Sequence, residues 1–274
     1  MMSRKYKVGF IGAGNMGSAM IKGMISSGVV SKNEVGVSEK FEASRQRAAE
    51  LGADVMDDNG TVTRDSDVLF VVVKPYQLDD VLPVIRENIS ADQILVYVAA
   101  GRSISSVEQA CMSMEVAGKI KVVRCMPNTP ALVGEGMTAI AVNANMTDED
   151  NEKILGYMSA FGRVKLVDED MMDCVTGLSG SSPAFVYMMI EAMADAAVAE
   201  GMTRSQAYEF AAQTVRGAAT MVLETGQHPG ALKDAVTSPS GTTIEGVLAL
   251  EDAGFRKAMI SAVLAATERS REMS

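Results

Sequence analysis

The sequence predicts an α/β protein in which a doubly wound sheet precedes an all-helical half. Short, continuous apolar runs alternate with helix-like segments through the first part of the chain, as strands buried on both faces of a sheet do. A glycine turn follows the first of these runs, and after about Asp168 the runs give way to helical spacing. The domains are therefore set at residues 1–167 and 168–274.

The runs "KVGFIG" (7–12), "EVGVS" (34–38), "DVLFVVV" (67–73), "QILVYVA" (93–99) and "KVVRCM" (121–126) are bounded by turns and read as buried parallel strands. Segments 41–51 and 76–89 between them are helix-like. "TAIAVN" (138–143) and "RVKLV" (163–167) extend the sheet and flank a helix from about Asp148 to Phe161. In 204–224, Ala207, Phe210, Ala211, Thr214, Val215, Ala218 and Val222 recur at helical spacing and predict an amphipathic helix. The preceding "PAFVYMMIEAMADAAVAEGM" (183–202) is apolar nearly all round, with Glu191, Asp195 and Glu200 as its charges. Such a helix has to be covered on every side. Residues 168–274 are too few to cover it, so a second copy of the chain is the expected cover and this half reads as an all-helical dimerisation domain.

Composition sets outer bounds. With 47% hydrophobic and 22% charged residues over 274 positions, the chain has an ordinary globular make-up. A net charge of −10 disfavours nucleic acid and anionic membranes as partners, because both reward a basic face. No apolar run reaches the ~18 residues that suggest a membrane span. The N-terminal "MMSRKYKVGFIGAG" enters a strand without the pattern of a secretory signal, so a cytoplasmic location is expected. Cys111, Cys125 and Cys174 are widely spaced and accompanied by a single His, which predicts buried, inert thiols and neither a disulfide frame nor a metal site.

In "GFIGAGNMGSAM", Gly12, Gly14 and Gly17 form a G-x-G-x-x-G turn between the first strand and a helix, with Ala13, Asn15 and Met16 completing it. Gly12 permits the tight turn, Gly14 lets backbone approach a pyrophosphate, and Gly17 lets helix and strand pack closely. The helix N-terminus offers unpaired N–H groups to the phosphates. A merely tight turn would use the same glycines, but the strand, the helix and the later βα units are where a Rossmann-like dinucleotide site requires them. Cofactor choice stays open: Glu39 falls where an acid would hold the ribose 2′-hydroxyl of NAD, while Ser38 and Lys40 suit a 2′-phosphate. "VVVKPYQ" (71–77), with Val72, Val73, Lys74 and Pro75, and "VAAG" (98–101), with Ala99 and Ala100, end strands at the edge where a ligand crosses. Lys74 reads equally as a phosphate or ribose contact and as an exposed loop lysine.

Three further stretches carry chemistry: "RCMPNTP" (124–130), "VTGLSGSSPAF" (175–185) and "HPGALKDAVTSPSGTTIEG" (228–246). The last interrupts helix with small hydroxyl residues, Pro239 and Gly241, so that backbone N–H groups and a helix N-terminus can cradle a carboxylate without Lys or Arg. Together with the glycine turn, these stretches resemble pyrroline-5-carboxylate reductase over essentially the whole chain. The resemblance implies reduction of L-1-pyrroline-5-carboxylate to L-proline, the last step of proline biosynthesis, by NADPH, with NADH possible. It implies Ser238, Gly241, Thr242 and Thr243 around the substrate, with the Thr243 hydroxyl as hydrogen-bond partner or proton donor to the ring nitrogen. A hydroxyl at a helix start also serves as an N-cap, and both roles stay open for Thr243. By the same resemblance Met126 and Pro127 line the nicotinamide pocket, and Glu169 and Thr176 lie near substrate or cofactor in the assembled dimer. Asn59 touches the adenosine portion, although Asn-Gly is also a turn signal, and Asp234 and Ala235 make cofactor-side contacts across the subunit interface. Dimers of this family assemble further, often as five in a ring.

The chain departs from the human-type pattern at Ser240, where that pattern has Gly, and at Pro127, where it has Thr. His228 in "HPG" reads as part of a turn, because reducing an imine needs no strong base. Two rival functions fit the sequence less well. A β-hydroxyacid dehydrogenase needs a Lys or His base on the long helix, and residues 183–202 contain neither. A silent dinucleotide-binding regulator would have no use for an intact "SPSGTT" loop.

Overall fold

The computed structural model describes residues 4–98, 101–113, 116 and 118–273. Its strands are β1 (Tyr6–Ile11), β2 (Val35–Ser38), β3 (Asp54–Met56), β4 (Ser66–Val71), β5 (Ile94–Tyr97), β6 (Lys121–Met126), β7 (Gly136–Val142) and β8 (Gly162–Leu166). They form one sheet in the order β3-β2-β1-β4-β5-β6-β7-β8. Only the β6–β7 pair is antiparallel among the described residues. Every expected strand is present, with ends shifted by a residue or two. The strand the reading of the sequence misses is β3, whose three residues at the sheet edge are too short for a pattern. Its Asp54 accepts from Lys5 Nζ at 2.7 Å and from Tyr6 Oη at 2.6 Å, which ties the edge to β1.

Helices α1 (Asn15–Ser26), α2 (Glu42–Leu51), α3 (Asn59–Arg64), α4 (Leu78–Asn88), α5 (Ile104–Ala110) and α6 (Asp148–Met158) accompany the sheet. Both sheet faces are buried. On one, Phe10, Phe70 and Val123 pack with Met20 and Met24 of α1 and Ile154 of α6. On the other, Leu69, Leu95 and Val122 pack with Leu82 and Ile85 of α4 and Val107 of α5. Burial on both faces is why the strands read as continuous apolar runs rather than alternating ones. Phe10 and Phe70 on adjacent strands stack at 4.8 Å between centroids.

The remaining helices are α7 (Met172–Val175), α8 (Ser182–Ala199), α9 (Arg204–Thr225), α10 (Pro229–Ala235), α11 (Thr242–Asp252) and α12 (Phe255–Glu272). The change to helix falls after β8, near Asp168, whereas the compact units divide at Gly180: residues 1–180 with 266–274 form one, and Ser181–Ala265 the other. A π-helical turn, Thr176–Gly180, lies just before that division.

The second unit has almost no core of its own. Ala194, Ala207 and Ala211 are its fully buried apolar side chains among the described residues, while Met188 (69% exposed), Phe210 (65%) and Leu264 (62%) stand open. On α9 the predicted stripe is split: Ala207 and Ala211 are buried, but Phe210, Thr214 and Ala218 are exposed. Covering a large apolar side chain stabilises by about 1.5–3 kcal/mol, so a handful of them offsets even a costly association of about 4–15 kcal/mol. Among the described residues no helix is long and apolar enough to cross a membrane. Cys111 and Cys125 are buried, and burial pushes the Cys111 thiol up to about 12 and raises that of Cys125 as well. Cys174 is only half-buried, so the expectation of three buried thiols holds for two.

Candidate functional site

A cavity of ≈ 670 Å³ opens along the carboxyl edge of β1, β2 and β4 in the first unit. Gly12, Gly14, Asn15, Met16 and Gly17 line it from the glycine turn, Ser38, Glu39 and Lys40 from the end of β2, and Asn59 from the start of α3. Val72, Val73, Lys74 and Pro75 line it after β4, and Met126 and Pro127 after β6. Ala13 is fully buried beneath the turn and does not line it. Ala99 and Ala100 fall outside the described residues. Phe41, Ser44, Gln77, Val98, Thr129 and Leu132 also line the cavity and are not singled out from sequence. Thr129 lies within the "MPNTP" stretch and Phe41 directly follows Lys40, so position along the chain was the available signal.

The turn geometry follows from the glycines. Gly12 has φ +96°, and a Cβ there would meet the Val72 carbonyl oxygen at 2.4 Å. A Cβ on Gly17 would meet the Gly12 carbonyl oxygen, also at 2.4 Å. Gly14 differs, because a Cβ there meets nothing within 4 Å and would project into open space. Gly14 is also the N-cap of α1 and gives it no side-chain cap, which leaves the N–H groups of the first turn for a ligand. These residues fit a dinucleotide pyrophosphate. We expect Gly14→Ala to leave the melting temperature of the free protein within about 2 °C, since nothing is displaced. It should weaken NADPH binding at least about ten-fold, roughly 1.4 kcal/mol; unchanged affinity in a titration would show that backbone at Gly14 does not approach the cofactor.

The neighbouring polar groups are held in place. Ser38 Oγ donates to Asn59 Oδ1 at 2.6 Å. Asn59 is the first residue of α3, capped by Asp58, which accepts from the N–H of Gly60 and Thr61; "DNG" is thus a helix start and not a hairpin turn. Glu39 is buried, and its carboxylate accepts from the N–H groups of Ala13, Lys40 and Phe41. Lys74 is exposed and forms no ion pair among the described residues.

Glu169 and Thr176 lie in the first unit but do not line the cavity. Glu169 Oε1 accepts from Arg124 Nη1 at 3.2 Å and from Ile104 N at 2.6 Å, at the start of α5. The Thr176 hydroxyl donates to the Met172 carbonyl at 2.9 Å and so lines the π-helical turn. Asn128, unremarked in the sequence although it sits in "MPNTP", accepts from Met137 N and donates to the Ser179 carbonyl. It thereby ties the loop after β6 to β7 and to the π-helical turn, a feature often found at functional sites.

The second unit holds Ser238, Gly241, Thr242, Thr243, Asp234 and Ala235. Ser240 takes φ +56°, the one left-handed non-glycine residue among those described, and turns the chain into α11. Gly241 is the N-cap of α11 and supplies no side chain; a Cβ there would meet Ser238 Oγ at 2.3 Å. Thr243 is therefore the second residue of the helix and not its cap. Its hydroxyl, like those of Ser238 and Thr242, has no hydrogen-bond partner among the described residues, and all three are exposed. Asp234 and Ala235 end α10, with Asp234 paired to Lys233. His228 caps α10, its Nδ1 accepting from the Gly230 N–H at 3.0 Å, which agrees with its reading as a turn residue.

A glycine turn at the carboxyl edge of a doubly wound sheet, joined to a core-poor helical unit, defines a dinucleotide-dependent oxidoreductase with a self-associating helical half. The comparisons with known proteins narrow this class. The family model "Pyrroline-5-carboxylate reductase dimerisation" matches residues 169–273, and "NADP oxidoreductase coenzyme F420-dependent" matches residues 7–101. Pyrroline-5-carboxylate reductases of Methanosarcina acetivorans and Escherichia coli are 48% and 45% identical, covering 97% and 98% of both chains in each pair. Among solved structures, the Coxiella burnetii pyrroline-5-carboxylate reductase superposes with a TM-score of 0.89 at 31% identity, over 98% of this chain and 99% of that one. The NADP-bound Plasmodium falciparum pyrroline carboxylate reductase gives 0.84 at 30%, over 100% and 99%. The chain belongs to the pyrroline-5-carboxylate reductase family.

Proposed function

We infer that the protein reduces L-1-pyrroline-5-carboxylate to L-proline, the last step of proline biosynthesis, with NADPH as reductant. The observation that carries the chemistry is the start of α11, which offers unpaired N–H groups and unpartnered hydroxyls and has no Lys or Arg in its first turn, its one charged residue there being Glu245. The N–H groups of Thr242, Thr243 and Ile244 have no acceptor within the helix and suit a substrate carboxylate. Ser238 and Gly241 shape the approach, and the Thr243 hydroxyl donates to the ring nitrogen. When bound, a reduced nicotinamide would supply a hydride for C5 of the C=N bond, and the nitrogen would take a proton. Met126 and Pro127 shape the nicotinamide end of the cavity, Asn59 lies towards the adenosine, and Asp234 and Ala235 face cofactor from a partner subunit. Glu169 and Thr176 lie near substrate or cofactor in the assembled dimer.

Imine-dependent oxidation of NADPH by the purified protein, followed at 340 nm, tests this reading. Rapid oxidation is expected. Cofactor binding without oxidation would leave a silent dinucleotide-binding regulator as the better account.

The helical unit self-associates, and the proposed assembly is an intertwined homodimer that builds into a ring of five dimers, working in the cytoplasm. Sedimentation at micromolar concentration is expected to show no monomer; a stable monomer would overturn the shared core.

A further inference from the structure

We propose that Asn128 is a positioning residue that couples the wall of the cavity to the π-helical turn carrying Thr176. The proposal rests on the reading of the cavity as a nicotinamide dinucleotide site and of Thr176 as a residue near the substrate. Pro127 and Thr129, on either side of Asn128, line the cavity, whereas Asn128 itself does not. It is the N-cap of the 3-10 turn Thr129–Val133, a place where asparagine ordinarily bonds to the N–H groups that follow. Its side chain makes no such bond. Instead the amide joins two separate elements, with Oδ1 accepting from Met137 N at 2.9 Å and Nδ2 donating to the Ser179 carbonyl at 3.0 Å.

Each bond fills a gap in regular structure. The β6–β7 register, with Met126 opposite Ala139, brings Asn128 opposite Met137 two residues further on. The backbone carbonyl of Asn128 has already turned into the 3-10 turn, accepting from Ala131 N at 3.1 Å, so the side-chain oxygen takes the Met137 N–H in its place. On the other side, a helix would serve the Ser179 carbonyl from the N–H four residues on, but residue 183 is proline and has none. The Asn128 amide supplies that donor. A carboxamide carries both the acceptor and the donor, whereas a carboxylate carries only the acceptor. With both ends held, a shift of Pro127 or Thr129 against a ligand is passed to Ser179 and the turn that contains it.

The test compares Asn128→Ala, which loses both bonds, with Asn128→Asp, whose carboxylate keeps the acceptor for Met137 and loses the donor to Ser179. Both are measured in the intact protein, well below its melting transition. Turnover of the imine is expected to fall about ten-fold or more in each, the scale on which small misplacements at a reacting centre act, while the Kd for NADPH without imine stays within about two-fold. Amide hydrogen exchange separates the two bonds. Exchange at Met137 should quicken in Asn128→Ala only, and NADPH should slow exchange over residues 176–180 in the parent but in neither variant. Parental turnover in Asn128→Asp, or a turn that NADPH protects there as well as in the parent, overturns the coupling even if Asn128→Ala does not fold. An inactive parent whose turn NADPH still protects would refute the reductase reading and leave the coupling intact. A parent whose turn NADPH does not protect overturns the coupling whatever its activity.

Discussion

Thr243→Val is expected to lower turnover about a hundred-fold, the scale of a lost donor or general acid in the transition state, and to leave NADPH affinity nearly unchanged. The reason is positional. Thr243 is the second residue of α11 and its hydroxyl supports no structure, since Gly241 caps the helix and no side chain bonds to the first turn. Valine keeps the shape and removes the donor. The melting temperature should stay where it is, and Thr243→Ser should recover most of the rate. Steady-state kinetics with varied imine will show a fall in kcat; a variant with parental turnover removes Thr243 from the mechanism.

Glu169→Ala is expected to destabilise the first unit by about 2–3 kcal/mol, somewhat below the roughly 3–5 of fully buried pairs. The Arg124 side chain is 6% exposed, whereas that of Glu169 is 34% exposed, so water screens one partner and moderates the loss. Arg124 is already poorly served: its Nε and Nη2 are buried without a hydrogen-bond partner among the described residues. Removing Glu169 would also take away the acceptor for the Ile104 N–H. The double variant Arg124→Met, Glu169→Gln should be more stable than Glu169→Ala, because it no longer buries an unpaired cation. Chemical denaturation of the set measures this directly. A single variant as stable as the parent would show that the pair contributes nothing.

The two glutamates mark the limit of reading along the chain. Position after β2 suggests a ribose ligand for Glu39, and the resemblance puts Glu169 near substrate or cofactor. Which donors their oxygens meet depends on Ala13, Ile104 and Arg124, which lie 26, 65 and 45 residues away. Sequence pattern carries no record of such pairings. Asn128 is the same case: the residues it bonds, Met137 and Ser179, come from separate elements.

Periodicity and turn chemistry are local, so they suffice for the strands of the sheet, the long helices α8 and α9, and the glycine turn after β1. The excess of apolar residues on α8 was equally legible, since a helix without a polar face demands cover wherever it is placed. The tertiary structure decided the short edge strand β3, the half-exposure of Cys174, the position of Thr243 inside its helix, and the commitment of Glu39 to backbone donors. Each of these turns on what packs against or bonds to a residue. Strand pairing and loop closure bring those neighbours from distant parts of the chain, beyond the few residues over which propensity acts.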